Sequence, residues 1–356
     1  MKRITYVSTR NADLSADAIE AIGQVAAKNN LELGVTGFLV SIDQFFFQIL
    51  EGDPPVVDQL LERIRLDPRH QHLLVLKAEE GVTVRLFPKW SMRTIRLSES
   101  NDMILQAIRI LLENITQSHR IIERYTQPSV LRFLSAGVNP LEIQVRKIGK
   151  IILFGDVVGF SYLCQKFAIE EVTEVVNAYL DACSNRITQM GGEVTKYIGD
   201  CIVAYFSPDQ ADSAIEACLQ ILLDLRGLRQ AAGKCQLMRF LYCGFGLSHG
   251  QVIQGNIGSN IKMDYTVLGD TVNIAARLEA LTRTIQRAIA FSDEVRQSAK
   301  RDWPFECVGE FKLKGQDKFC AVYSLDDPLV GEFKSYDELA TDMTLICETN
   351  GVQLAG

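Results

Sequence analysis

Glu193-Val-Thr-Lys196-Tyr-Ile-Gly-Asp200, followed directly by Cys201-Ile-Val-Ala-Tyr-Phe206, reads as a β-hairpin around which the rest of the chain is organised. Its arms alternate or run apolar, and Gly199-Asp200 supplies the turn. The hairpin carries an acid, Asp200, to its tip and a base, Lys196, a short way back along one arm. A second acid stands upstream in Ile151-Ile-Leu-Phe-Gly-Asp156-Val-Val-Gly-Phe160-Ser161, where an apolar strand runs into Asp156 and a glycine-containing turn. Two carboxylates held ~4 Å apart repel by about 4 kcal/mol at intermediate dielectric. Such a pair makes sense with a divalent cation between its members.

A chain of 356 residues holds two domains of ordinary size. An apolar content of 47% and a charged content of 23% describe a soluble globular protein. The net charge of −7 argues against non-specific attraction to nucleic acid or to a membrane surface. The start Met1-Lys-Arg has the charge of a signal peptide, but its apolar run is too short, and no run approaches a membrane span. The nine cysteines all lie at or beyond Cys164 and show no CxxC spacing, so they read as small apolar residues in a reducing cytoplasm.

Residues 1–97 form the first expected domain. Strands are predicted over 2–8, 35–42, 45–51, 73–78 and 92–97. A helix capped by Ser15 has the apolar face Ile19, Ile22, Val25 and Ala26, and a second helix starts near Pro54. The order βαββαββ predicts a ferredoxin-like α+β plan with both helices on one face of the sheet. Tyr6 sits in the middle of the first strand, and Gln48 interrupts the apolar Phe45-Phe-Phe-Gln48-Ile-Leu. Gln48 is either solvent-facing on an alternating strand or buried, and burial without a hydrogen bond costs roughly 1–3 kcal/mol.

With Tyr6, Asn30, Gln48, Arg63, Asp67-x-Arg69-His70 and Trp90-Ser-Met92 in this order, the domain resembles the BLUF family of blue-light sensors. The resemblance implies a flavin, FAD or FMN, held non-covalently between the two helices. It implies that Tyr6 donates an electron to the photoexcited flavin and that Gln48 changes its hydrogen bonds to the ring. Asn30 would hold the flavin's polar edge, Arg63, Asp67 and His70 would surround the ring or side chain, and Trp90 and Met92 would report to the last strand. A neutral phenol beside an amide with both donor and acceptor ends suits such a switch. No cysteine precedes Cys164, so a cysteinyl–flavin adduct is excluded for this domain.

Ile104, Ile108, Leu111, Ile115, Ser118, Ile122 and Tyr125 recur at heptad spacing in the expected linker, residues 98–147. Such a seam either packs on its own domain or pairs two chains as a coiled coil; the expectation is a parallel pairing, because the second domain needs a partner. A short helix over 129–136 follows.

The second domain, residues 148–325, alternates strands and helices as an α/β sandwich. Strands are expected over 151–155, 240–249, 264–268 and 288–291, with helices over 170–190, 210–231, 271–282 and 292–299, and a closing hairpin. Asp156, Lys196, Asp200 and Thr266 fall at strand ends and turns; Asn273 and Arg277, four apart, share one helix face. Gly191-Gly-Glu193-Val194 departs from the GG-acid signature of cyclic-dinucleotide synthases, because valine replaces the second acid.

Phe154-x-Asp156-Val-Val-x-Phe160-Ser161, Glu193-Val-Thr-Lys196-x-Ile-Gly-Asp200 and Leu268-Gly-Asp-x-Val-Asn273-x-Ala-x-Arg277-Leu together resemble class III nucleotide cyclases. The resemblance implies attack of a ribose 3′-oxygen on the α-phosphorus of the same nucleotide, with release of pyrophosphate. Asp156, the backbone of Val157 and Asp200 would hold two Mg²⁺ or Mn²⁺ ions; Phe160 and Ser161 would meet phosphates, with Lys314 adding a contact. Arg277 would stabilise the α-phosphate and Asn273 would orient the ribose. Lys196 has only donors, which match adenine N1, and Thr266 accepts from the adenine amine, so ATP is the expected substrate. In this family the metal carboxylates come from one chain, and Asn273 and Arg277 from the other. A single cyclase domain with both sets is therefore expected to act as a homodimer. The two resemblances together are those of the photoactivated adenylyl cyclases. Residues 326–356 are expected as a partly ordered acidic tail.

Overall fold

The computed structural model describes residues 1–11, 16–42, 44–89, 91–95, 103–136, 138–232, 235–314 and 319–342. It divides into two compact units, Met1–Ile143 and Gln144–Gly356.

In the first unit, β1 (Lys2–Arg10), α1 (Ala16–Glu32), β2 (Thr36–Ile42), β3 (Phe45–Gly52), α2 (Pro54–Arg65), β4 (His70–Glu79) and β5 (Ser91–Ile95) follow one another. The sheet order is β4-β1-β3-β2-β5. Both neighbours of β1 are antiparallel to it, while β5 joins β2 in parallel. Successive strand residues point to opposite faces. Ile4, Tyr6 and Leu50 therefore pack with Val57, Leu60 and Leu61 of α2, and Leu39 and Phe46 pack with Ile19 and Ile22 of α1. This is the ferredoxin-like plan read from the pattern. The expected cap Ser15, the turn residue Asp43, Trp90 and Leu97 lie outside the described residues.

The opposite face of the sheet is covered by α3 (Met103–Tyr125). Val7, Val40 and Phe45 receive Leu112, and Thr116 is buried one turn on. The helix thus packs on its own sheet, but through residues between the expected seam positions. Ile108, Leu111, Ile122 and Tyr125 stay on the outer side, from 37% to 89% exposed. The packing on its own domain therefore uses a face of the helix other than the one that carries the heptad positions. The short helix α4 runs Pro128–Ser135, one residue ahead of expectation, because proline is tolerated in a first turn.

The second unit is built on β6 (Arg146–Val157), whose alternate residues reach opposite cores. Ile151 and Leu153 pack with Val175 and Tyr179 of α6 (Ile169–Gln189) and with Ile215 and Ile221 of α7 (Ala211–Gln230). Ile152 and Phe154 pack towards Ala275 of α8 (Asp270–Ile285). The sheet order is β12-β13-β11-β9-β6-β8-β7, with β10 (Met263–Leu268) paired to β9 (Cys243–Gly258). The hairpin of β7 (Glu193–Ile198) and β8 (Cys201–Phe206) forms one end of that order, and β11 (Ile289–Ser292), β12 (Phe305–Phe311) and β13 (Cys320–Leu325) build the other. Between them run the short helices α5 (Phe160–Lys166) and α9 (Asp293–Ser298).

Two strands outrun their expected limits. β6 begins at Arg146 and β9 continues to Gly258, because their ends pair with each other and with β10 instead of needing an apolar face. The segment after β13 also departs from expectation. Residues 327–342 are folded onto the unit: α10 (Pro328–Gly331) opens it, and Val330, Phe333 and Leu339 are buried in the core shared with α6 and α7. Three apolar residues so widely spaced show no period in sequence, and the acids around them suggested a tail. No helix among the described residues is long and apolar enough to cross a membrane.

Candidate functional site

In the first unit, a cavity of about 190 Å³ opens between α1 and α2 over the sheet. Asn30, Gln48, Arg63, Asp67 and His70 all line it, together with Ile22, Leu39, Leu60 and Ile64. Gln48 is buried, not solvent-facing, and Tyr6, fully buried on the neighbouring strand, donates its hydroxyl to the Gln48 side-chain oxygen. The register explains this: Tyr6 and Gln48 are direct partners across β1 and β3. Burial, reinforced by the Asp67 carboxylate, raises the Tyr6 phenol well above its ordinary pKa, so it stays a neutral donor.

His70 accepts or donates at Nδ1 with Ser8 Oγ, 2.8 Å away, and its ring lies against Phe46. Burial pushes it down to about 4, so it is neutral at pH 7. Asp67 is held low, first by the Arg69 side chain. Apolar walls with buried amides at one edge fit a planar heteroaromatic ring with polar edge atoms. Met92 lies in β5 opposite Leu39 of β2.

In the second unit, the β7–β8 turn delivers Asp200, and Gly199 adopts the left-handed backbone (φ 65°) that the tight turn requires. Asp200 meets the end of β6: its Oδ2 accepts the Val157 N–H at 3.2 Å. A cavity of about 270 Å³ is lined by Asp156, Val157, Gly159, Phe160, Ser161, Tyr162, Asp200, Arg283 and Tyr336. Burial first, and then the adjacent Asp156 carboxylate, push Asp200 up to about 7. A carboxyl so disfavoured as an anion fits a site that receives a cation. Arg283 Nη2 donates to Asp156 Oδ2 at 2.8 Å and also pairs with Glu279, one turn back on α8.

The other expected residues do not line this cavity. A bulge after Val194 sets Lys196 opposite Val203 of β8, where it is half-buried. Thr266 is buried on β10. Asn273 is exposed on α8, and Arg277 is half-buried with a buried Nη1 that has no hydrogen-bond partner. A buried guanidinium nitrogen left unpaired suits a group whose partner is a ligand. Lys314 is exposed after β12. Asp156, Asp200 and the Gly159–Ser161 turn thus share one cavity, whose lining does not include Lys196, Thr266, Asn273, Arg277 or Lys314.

Sequence reading passed over Arg283, Glu279 and Tyr336. The Glu279–Arg283 spacing is visible, but it reads as an ordinary helix-surface pair until the fold brings Asp156 to it.

Residues 1–93 match the family described as sensors of blue-light using FAD, and residues 143–327 match the adenylate and guanylate cyclase catalytic domain. A bacterial light-regulated adenylyl cyclase of known structure is similar to this chain at 40% identity and a TM-score of 0.88, covering 97% of this chain and 99% of that one. The photoactivated adenylate cyclase subunit beta of Euglena gracilis is 32% identical over 82% of this chain, and its subunit alpha is 32% identical over the same share. The chain spans about a third of the length of these curated relatives (34% and 29%).

Proposed function

The chain belongs to the adenylate and guanylate cyclase catalytic domain family, with a BLUF-type light-sensing domain ahead of it, and from that premise we propose that it is a blue-light-activated adenylyl cyclase. It converts ATP to 3′,5′-cyclic AMP and pyrophosphate, and it works as a homodimer in the cytoplasm.

The observation that carries this reading is the partition of the catalytic set. Asp156, Asp200 and the Gly159–Ser161 turn share one cavity, whereas Lys196, Thr266, Asn273 and the unpaired Arg277 Nη1 stand outside it. Two copies related by a twofold axis bring one chain's carboxylates to the other's base and ribose residues, forming two equivalent sites. The outward face of α3, with Ile108, Leu111 and Ile122 exposed, fits the seam between the copies.

Asp156 and Asp200 would hold two Mg²⁺ ions, which would supply stabilisation of an ionised 3′-oxygen and neutralise phosphate charge. Ser161 and the turn before it offer N–H groups to the phosphates. Arg277 supplies its fork to the α-phosphate oxygens as charge develops there. Asn273 fixes the ribose. Lys196 donates to adenine N1, and the Thr266 hydroxyl accepts from the adenine amine.

In the sensor, the name of the matched family favours FAD over FMN. Bound flavin supplies absorption of blue light. Tyr6 keeps Gln48 in one hydrogen-bonded state, and reorganisation of that pair alters β3 and its neighbour β2, which carries β5 and Met92. The paired α3 helices then bias assembly of the shared sites.

The test is cyclic AMP formed from ATP and Mg²⁺ by the purified protein, in darkness and under blue light. A light-dependent rise is expected. Equal activity in both conditions breaks the coupling. Turnover of GTP but not ATP overturns the base-reading role of Lys196, and no product from either nucleotide sinks the enzyme reading.

A further inference from the structure

The cavity that holds Asp156 and Asp200 has one wall from outside the matched catalytic region. The family match ends at residue 327, and Tyr336 lies beyond it. The intervening chain is firmly placed. Val330 is fully buried, and its carbonyl accepts the Ala288 N–H at 3.0 Å. Glu332 accepts from Arg226 Nη2 at 2.6 Å and Nε at 2.9 Å, and Arg229 adds a third donor. Phe333 and Leu339 enter the core on either side of Tyr336.

A helical turn opens at Tyr336 with Ser335 as its cap: Ser335 Oγ accepts the Glu338 N–H, and the Glu338 carboxylate accepts the Ser335 N–H at 2.8 Å. This reciprocal pair sets the direction in which Tyr336 leaves the backbone. Its ring meets Tyr162 edge-on, with centroids 5.4 Å apart. It also closes over Gly159: a Cβ added there would stand 3.3 Å from Tyr336 Cδ2. Gly159 has φ 71°, so it has both the backbone and the space that only glycine tolerates. The turn that offers N–H groups to phosphates is therefore packed from outside by a tyrosine ring.

We propose that Tyr336 is a positioning residue for the polyphosphate of the nucleotide: residues 327–342 clamp the Gly159–Ser161 turn in its phosphate-binding shape, so the C-terminal segment sets the affinity for ATP and for the product pyrophosphate. The proposal rests on the cyclase reading of this cavity. The ring, not the hydroxyl, does the clamping, because the packed contacts are those of the ring. The side chain is 45% exposed, so its removal leaves the core intact.

Full-length protein carrying Tyr336→Ala, Tyr336→Phe or Glu332→Ala tests this. Tyr336→Ala is expected to raise both KM for ATP and the inhibition constant of pyrophosphate about five- to tenfold, the scale of one aromatic contact. Its kcat should stay within about twofold, since uniform binding is what it removes. Tyr336→Phe keeps the ring and should match the unsubstituted protein. Glu332→Ala loosens the anchor and should shift both constants in the same direction by a smaller factor. The blue-light spectral shift and the melting temperature of Tyr336→Ala should be unchanged. If the unsubstituted protein cyclises ATP and Tyr336→Ala has unaltered constants, the inference fails alone. If Tyr336→Phe behaves as Tyr336→Ala, the ring-clamping account is overturned. If the unsubstituted protein neither binds nor cyclises ATP, the cyclase reading and this inference fall together.

Discussion

The two cavities are built on different principles. The sensor cavity is lined within one chain: Gln48, His70, Asn30 of α1 and Arg63 of α2 face one space, and Tyr6 is hydrogen-bonded to Gln48 behind it. The cavity of the second unit gathers Asp156, Asp200 and the Gly159–Ser161 turn, but leaves Arg277 with a buried, unpaired nitrogen elsewhere. A self-contained sensor can switch in isolation. In the proposed dimer, a site divided between two chains responds to how they meet, which is a quantity a sensor can alter without touching the chemistry.

The strongest way to break this contrast is complementation. Asp200→Asn and Arg277→Ala should each lower cyclic AMP formation by about a thousandfold, as expected for losing a metal carboxylate or a transition-state arginine. Co-expressed, they should recover about a quarter of normal activity, because half the dimers are mixed and each mixed dimer has one intact site of two. Recovery no greater than the sum of the single variants would mean that each chain works alone. Lys196→Glu places an acceptor against adenine N1 and should cut ATP turnover about a hundredfold. Thermal unfolding should stay unchanged, and undiminished ATP kinetics would remove Lys196 from the site.

The sensor half is tested by spectra. Gln48→Leu and Tyr6→Phe should retain flavin, lose the light-induced red shift, and hold cyclase activity at the dark level. A normal shift in both variants would remove the Tyr6–Gln48 pair from the switch. Leu111→Pro, on the outward face of α3, should keep the red shift but lose light activation, whereas loss of both would signal misfolding.

What was legible in the sequence depended on how local the cause was. The β7–β8 hairpin and the ferredoxin-like order followed from apolar alternation, and Asp156 and Asp200 stood out as acids at strand ends. Gln48 was ambiguous in sequence because alternation gives its face only after Tyr6 is set opposite it, a pairing 42 residues apart. Arg283 was opaque for the same reason, since its partner Asp156 is 127 residues away. The polar Ser248-His-Gly250 hid the continuation of β9, whose pairing with β6 and β10 needs no apolar run. The C-terminal segment did carry one local sign, the capping box Ser335-x-x-Glu338, but without an apolar period around it that sign is weak.

The smallest effect concerns pH and the sensor alone. His70 is neutral in the folded unit because burial pushes it down to about 4, opposed by Asp67 and aided by Arg69. An unfolded histidine titrates near 6.5. Between these values the unfolded chain binds the extra proton, so stability from a neutral His70 is full above pH 6.5 and falls as pH drops towards 4. By pH 5 about 2 kcal/mol should be lost from this group. Thermal melts followed by flavin fluorescence should therefore drop by several degrees between pH 7 and pH 5, and His70→Gln, which keeps a polar partner for Ser8 but takes up no proton, should drop less. Acidic groups titrate alike in both proteins, so the difference between the two profiles isolates His70. Parallel profiles would mean that the ring is not held neutral by burial, and the contrast between a sensor cavity with a neutral histidine and a second cavity with paired carboxylates would lose its electrostatic basis.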